Sequence, residues 1–429
     1  MSKRNGVVVA VFLVLIVIVI YSVLVPRRPR VTDRQEGDLK SRLEKLRSLP
    51  YTSVTPDTVD TKESGVRVHQ HDAAYEGYNI YCSRISPHVY LMDMEGRHVH
   101  TWGYGQGRPW QTVHAVMLDN GDIIVLGKSK YARTVLKLAW NSNVLWEINA
   151  SAHHEIALLP DSTFYVFARS ARKHRDLWVE FSSIVRLSPS GGEVERWSTY
   201  DHLQEIKEAF DQRSFLDTIL DSLLASGDSL GTRESIPGKV HVLANRGDAR
   251  LFDYFHPNTI TILPDTPLGR KDKRFSAGNL LVCFRNVNQI AILERNTKDI
   301  LWAWGEGILQ WPHHPTMLDD GNILVFDNGV ERQYSQIVEL NPETEEIAWE
   351  YVADPPESFF SFSKGSAQRL PNGNTLICDS DNGRAFEVTT AGGIVWEWLN
   401  PQTKDGHRVV VYRMERLAPE MVEPLLENP

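Results

Sequence analysis

From about residue 78 the chain is written in short runs of β-branched and aromatic residues, broken by Asn-Gly, Asp-Gly and Pro-Asp pairs. Such alternation of apolar and polar positions predicts half-buried strands, and those dipeptides predict tight turns between them. One phrase recurs six times: a strand, a polar turn, then a strand closing on tryptophan, as in "VLKLAWNSNVLWEI" and "IVELNPETEEIAWEY". The first Trp of each copy is Trp102, Trp146, Trp197, Trp302, Trp349 and Trp396, and four of the five intervals span 44 to 51 residues. Four short strands per repeat of that length make a blade of a β-propeller.

A second phrase, an apolar run into a turn, precedes five of these copies, as in "HAVMLDNGDIIVL" and "HPTMLDDGNILVF". The copy at 90–102 has no such leader, and "VVVYRMERLAPE" near the C-terminus supplies one. The expected fold is therefore all-β, a six-bladed propeller over residues 73–429, with residues 78–105 and 408–420 sharing one blade. The repeated Trp is expected to pack between blades, where a large ring buries much apolar area. One insertion, about 201–250, interrupts the spacing. Within 201–224, Leu203, Ile206, Phe210, Phe215, Leu216, Ile219 and Leu223 keep roughly helical spacing, which predicts one or two amphipathic helices covering a propeller face.

Ahead of the propeller, residues 6–25 carry no charge, and about twenty apolar residues at helical rise span a bilayer. No small-residue cleavage site follows, so residues 1–30 read as an N-terminal transmembrane helix, a signal anchor. Residues 31–72 read as a polar linker with a short helix. Lys3 and Arg4 precede the apolar run and Arg27, Arg28 and Arg30 follow it. Flanking charge alone would keep the domain in the cytoplasm, but long domains translocate despite it. The formal net charge of -9 argues against nucleic acid as a partner, since a polyanion binder needs a basic surface. Cys82, Cys283 and Cys378 stand far apart in strand-like runs, as buried thiols do. Asn149-Ala150-Ser151 is a single glycosylation-type triplet.

The chemistry gathers at the leading phrases. His114, His154, His256 and His314 each begin one, at the mouth of the channel that leading strands enclose. Imidazole carries protons and serves as a nucleophile near neutral pH. Hydrogen bonding between blades and a histidine metal site are the other readings of such a ring. Asn258 is two residues beyond His256 and so points the same way on an extended segment. Arg285 follows the apolar run of the next strand, where guanidinium suits a sulfate or phosphate oxyanion. His313 stands beside His314 and leaves the register of that pair open.

These phrases, above all "SAQRLPNGNTLICDSDNGRAFEVTTAGGIVWEW", "YLMDMEGRHVHTW" and "HHPTMLDDGNILVFDNG", resemble the arylsulfotransferase family, whose members do not use a nucleotide sulfate donor. The resemblance covers roughly residues 75–420. It implies a six-bladed propeller in which a histidine takes a sulfuryl group from an aryl sulfate and passes it to a phenol, without a cofactor. By this resemblance His314 is the nucleophile, with His313 its rival. His256 and Asn258 match the family's His-x-Asn step, Arg285 its sulfate-binding arginine, and His154 its second supporting histidine. His114 and His313 join Asn258 and Arg285 as substrate contacts. Arg285, Asn258 and a protonated His256 would hold the sulfuryl oxygens, and His154 or His256 would protonate the leaving phenolate. The family also implies a periplasmic, extracellular or lumenal location for the propeller. A propeller that binds a ligand or protein at the membrane surface without catalysis remains the alternative. A quinoprotein dehydrogenase, suggested by the Trp repeat, lacks adjacent cysteines and a carboxylate metal cluster.

Overall fold

The computed structural model describes residues 54–58, 63–105, 110–129, 132–174, 177–210 and 252–427, all within the unit 51–429. The apolar run at 6–25 and the distal part of the helical insertion lie outside these residues. Among the described residues no helix is long and apolar enough to cross a membrane.

Six antiparallel sheets of the blade type account for most of the described chain. Blade 1 joins Val411–Leu417 to Tyr78–Ser83, His88–Met92 and His98–Gly103, so strands from far apart in the sequence share it, as the repeats require. Blade 2 runs through Gln111–Met117, Ile123–Lys128, Arg133–Leu138 and Val144–Asn149. Blade 3 holds Ala152–Leu158, Phe164–His174, Leu177–Leu187 and Glu193–Ser198, with Phe252–Asp253 pairing parallel to its third strand. Blade 4 is Pro257–Ile262, Leu280–Phe284, Gln289–Leu293 and Ile300–Trp304, and blade 5 is His313–Met317, Ile323–Asp327, Gln336–Asn341 and Glu346–Tyr351. Blade 6 is Ser366–Arg369, Thr375–Asp379, Arg384–Val388 and Ile394–Leu399. The first strand of each blade, and Val411–Leu417 in blade 1, touch one another in a closed circuit that rings the centre.

Part of the expected linker enters the fold. Gly65–His69 adds a fifth strand to the outer edge of blade 6, and Val54–Thr58 pairs with His407–Val409. The alternating "GVRVH" explains the first: Val66 packs against the core cluster shared by blades 6 and 1.

The Trp repeat works between blades. The indole N–H of Trp146 donates to the Pro189 carbonyl, that of Trp349 to Thr390, and that of Trp396 to Met94, each at 2.9 Å and each on a turn of the next blade. Trp102, Trp197 and Trp302 are buried, and their indole nitrogens make no such bond among the described residues. The three cysteines are free and buried in the same interblade cores. Of the helical insertion, Leu203–Ala209 is a helix that buries Ile206. Phe210 follows it and stacks edge-on to Phe284 of blade 4 at 5.0 Å.

Candidate active site

The inner strands do not run straight into the channel. Five of the six carry a register shift near their first residues: between Thr112 and His114, His153 and Ile156, Pro257 and Thr259, His313 and Thr316, and Val411 and Met414. Bulges re-aim side chains and are common beside active sites. His154, His256 and His314 sit at these places with φ of 62°, 48° and 48°. A left-handed backbone is uncommon for a residue with a Cβ and costs of order 1–3 kcal/mol. Three imidazoles are thus held in a conformation that local sterics disfavour.

One group faces a cavity of about 1100 Å³ whose walls include His114, Glu155, Thr261, His314, Gln368 and Arg413. Leu118, Leu159 and Leu318 open equivalent turns. His114, Glu155 and His314 each stand four residues before one of them, so Glu155 rather than His154 completes that ring. Arg413 grips Glu155 with both terminal nitrogens, at 3.0 and 2.8 Å, and His114 Nε2 lies 3.2 Å from the same carboxylate. Burial pushes the Glu155 carboxyl upward, but Arg413 and His114 together outweigh it and hold the group at about 2. His314 is fixed at its backbone and at its ring. Its backbone N–H donates to Thr259 Oγ1 at 3.0 Å, that hydroxyl donates to Asn258 Oδ1, and its own Nδ1 donates to the Ala367 carbonyl at 3.0 Å. A carbonyl only accepts, so Nδ1 carries the proton and Nε2 keeps its lone pair. Burial first, and Arg413 second, press this imidazole down to about 3.

A second group is buried beside the first. The His256 and His154 rings meet edge to face at 4.8 Å, and His154 touches His153 through their Nδ1 atoms. His256 Nδ1 donates to Asp253 Oδ2 at 2.6 Å, and burial followed by Arg285 lowers its pKa to about 4. For Asp253, burial works upward, and His256, Arg169 and Arg285 overcome it to keep the carboxylate charged. His313 Nδ1 donates to Asn328 Oδ1 at 2.7 Å, and Arg285 lies over the Trp311 ring at 4.8 Å. Burial, then the charge of Arg285, lowers His313 well below its usual range. Tyr412 stands between the groups, 6.2 Å from the His154 ring and 6.5 Å from that of His114.

Cations are concentrated near this second group. Arg84, Arg133, Arg285 and Lys364 are buried, and Arg169 and Lys128 are half-buried. Burial, then Arg133, Arg84 and Arg169, bring Lys128 down to about 7. Glu180 and Asp381 offset part of this charge through Arg169 and Lys364. A chain of net charge -9 thus focuses positive potential at its hub, which favours an anionic ligand.

The structure brings His154, His256, His313 and Arg285 into one electrostatic neighbourhood, and His114 and His314 into another with Glu155 and Arg413. The His313–His314 doublet is parted, since His313 Nδ1 donates to Asn328 Oδ1 and His314 Nδ1 to the Ala367 carbonyl. Asn258 is buried and links the two through Thr259, with its Nδ2 donating to the Pro312 carbonyl at 2.9 Å. His256 differs from its expected cationic form, because burial and Arg285 outweigh Asp253. Asp253, His153 and Arg413 escaped the sequence reading. Arg413 had a signal: it stands four residues before Leu417 in the leading phrase that closes the ring.

A family model described as "Arylsulfotransferase (ASST)" matches residues 114–401. No curated protein matches the sequence. Among solved structures, a protein of unknown function from Bacteroides caccae is similar at a TM-score of 0.48 with 14% identity, over 79% of this chain and 98% of that one. A catalytically inactive virginiamycin B lyase from Staphylococcus aureus, solved with quinupristin, is similar at 0.42 with 10% identity, over 82% and 86%. The match spans two thirds of the sequence and includes the strands that carry His114, His154, His256, Arg285 and His314: the chain belongs to the arylsulfotransferase family.

Proposed function

We propose that the protein moves a sulfuryl group from an aryl sulfate to a phenol through a sulfohistidine at His314. The observation that carries this reading is the His314 tautomer: Nδ1–H is committed to the Ala367 carbonyl, and the ring lines the cavity with an unprotonated Nε2. A histidine held neutral through the physiological range needs no base to become a nucleophile.

In the first half-reaction the Nε2 lone pair forms an N–S bond as the S–O bond to the aryl group breaks. The phenolate leaves with that electron pair and takes a proton from His256 or His154. A bound sulfate ester adds negative charge near His256 and counters Arg285, which raises the imidazole's hold on a proton. Asp253 stabilises the imidazolium that results. Arg285 supplies positive charge from the neighbouring group, and Asn258 holds Thr259, which in turn fixes the His314 backbone. In the second half-reaction the acceptor phenol oxygen attacks sulfur, the N–S bond breaks, and the phenol proton returns to the same imidazole. By analogy with phosphoryl transfer, a loose transition state asks for positioning and charge stabilisation more than for covalent help.

The test uses the full chain, a nitrophenyl sulfate donor and a phenol acceptor. Nitrophenol release should depend on the acceptor and follow ping-pong kinetics. A sulfated peptide containing His314 should be trapped when the acceptor is withheld. His314→Ala should lower kcat by about 10³-fold or more. Turnover unchanged in that variant, or a label at His313 instead, would remove His314 from the role.

We also read residues 6–25 as a single-pass anchor, from their length and lack of charge, and the propeller as lying outside the cytoplasm, as the family resemblance implies. Carbonate-resistant membrane association and protease access from the outer side are the expected results. A soluble full-length chain would contradict the first, and protection of the propeller the second.

A further inference from the structure

The sequence "VHQHDAAYEGY" (residues 68–78) sets His69, His71 and Glu76 close together, on the outer strand of blade 6 and the loop that leaves it. That strand lies four positions out from the channel, roughly 19 Å at ordinary strand spacing. The proposed sulfuryl transfer makes no use of it.

The loop is held from several sides. Gln70 N–H donates to the Val395 carbonyl at 2.8 Å, and the N–H groups of Ala73 and Ala74 both turn back to the Gln70 carbonyl. Tyr75 N–H donates to Glu387 Oε1 at 2.8 Å. Thus fixed, the loop sets the His71 ring beside that of His69, with centroids 3.8 Å apart and the planes tilted by 40°. Glu76 Oε1 lies 3.3 Å from His69 Nε2 and 3.6 Å from His71 Nδ1. Two ligands at zinc bond lengths and a tetrahedral angle are about 3.4 Å apart. A single hydrogen bond accounts for the shorter of these contacts. It does not account for a second imidazole presenting a nitrogen to the same oxygen at 3.6 Å. The far side of His69 is also occupied: its Nδ1 lies 3.8 Å from Glu95 Oε1. A carboxylate behind a ligating histidine is the usual outer partner in zinc sites. Glu95 belongs to the turn of blade 1 whose Met94 carbonyl accepts from Trp396.

We propose that His69, His71 and Glu76 bind a zinc-class divalent ion, with Glu95 orienting His69, and that the ion fastens the outer strand of blade 6 beside the outermost turn of blade 1. Two imidazoles and one carboxylate suit zinc or cobalt, and the exposed side of His71 leaves room for a water ligand.

The experiment titrates Co²⁺ into the full chain after chelator treatment, reading the visible ligand-field bands, then displaces it with Zn²⁺. One equivalent should bind with intensified bands. His71→Ala should abolish the bands and weaken binding at least about tenfold, and Glu95→Gln should keep the stoichiometry while weakening it by about 10–100-fold. Zn²⁺ should raise Tm in the parent chain and not in His71→Ala, since an ion that binds only the folded state stabilises it. Because His71 is exposed, its variant should match the metal-free parent in Tm and in aryl sulfate turnover. Absence of the bands, or equal affinity and equal Tm gain in His71→Ala, overturns the proposal, since the ion would then be held elsewhere. A failure of sulfuryl transfer would leave these readouts unchanged.

Discussion

Lys128 shows how far a single charge can be displaced by its setting. It lies within the field of Arg84, Arg133 and Arg169, and its pKa is brought to about 7. Its charge is therefore present below that value and lost as the pH rises through it. We expect KM for an aryl sulfate to climb between about pH 6 and about pH 9, and Lys128→Arg to flatten that limb, since guanidinium keeps its charge. An identical limb in the arginine variant would place the titration elsewhere. Lys128 is a silent residue in the sequence, because neither its strand nor its turn marks it; only the fold gathers Arg84, Arg133 and Arg169 around it. His114 and His314 were legible for the opposite reason, since a repeated phrase fixes their place on the inner strand. Asp253 could not be read. It meets His256 through a two-residue strand that follows the insertion, and no motif connects the pair.

Elements were read more securely than side chains. The period of the Trp phrase anticipates the blades because each copy must bury the same ring at the same joint. At Trp146, Trp349 and Trp396 the structure adds a polar half to that joint, an indole N–H reaching a turn carbonyl of the following blade. At Trp396 this bond is buried and closes on blade 1. Trp396→Phe should keep the packing and lose the bond, at a cost of about 1–2 kcal/mol, while Trp396→Ala should cost about 3–5 kcal/mol by opening a cavity. Urea unfolding midpoints check both, and a Trp396→Phe variant as stable as the parent would mean that the hydrogen bond contributes nothing measurable. The bulges at the heads of the inner strands were invisible in the sequence. They arise where the chain turns into the channel, and a one-residue slip there decides which imidazole faces which neighbour. The strand at Gly65–His69 was hidden in a polar stretch, since an added edge strand needs only one apolar face.

At the scale of the whole molecule the hub makes folding sensitive to acid. His114, His153, His154, His256, His313 and His314 all have lowered pKa values, with burial as the largest cause. Each stays neutral in the folded chain where the unfolded chain would take up a proton. The stability they preserve is complete above about pH 6.5 and declines as the pH falls, each group approaching about 1.4 kcal/mol per pH unit. Asp327 and Asp379, raised by burial, work against this trend. The net expectation is a steep fall in the urea midpoint between about pH 7 and about pH 4.5, and a flat profile would show that the imidazoles are solvated. The closure of the ring carries a separate consequence for biogenesis. Val411–Leu417 leaves the ribosome more than 300 residues after its partner Tyr78–Ser83. At 5–20 residues per second that is a delay of roughly 15–70 s. Throughout it the first blade offers an open edge to any neighbouring nascent chain, and the channel lacks Arg413, so neither a sealed wheel nor a complete site exists until Val411–Leu417 has emerged.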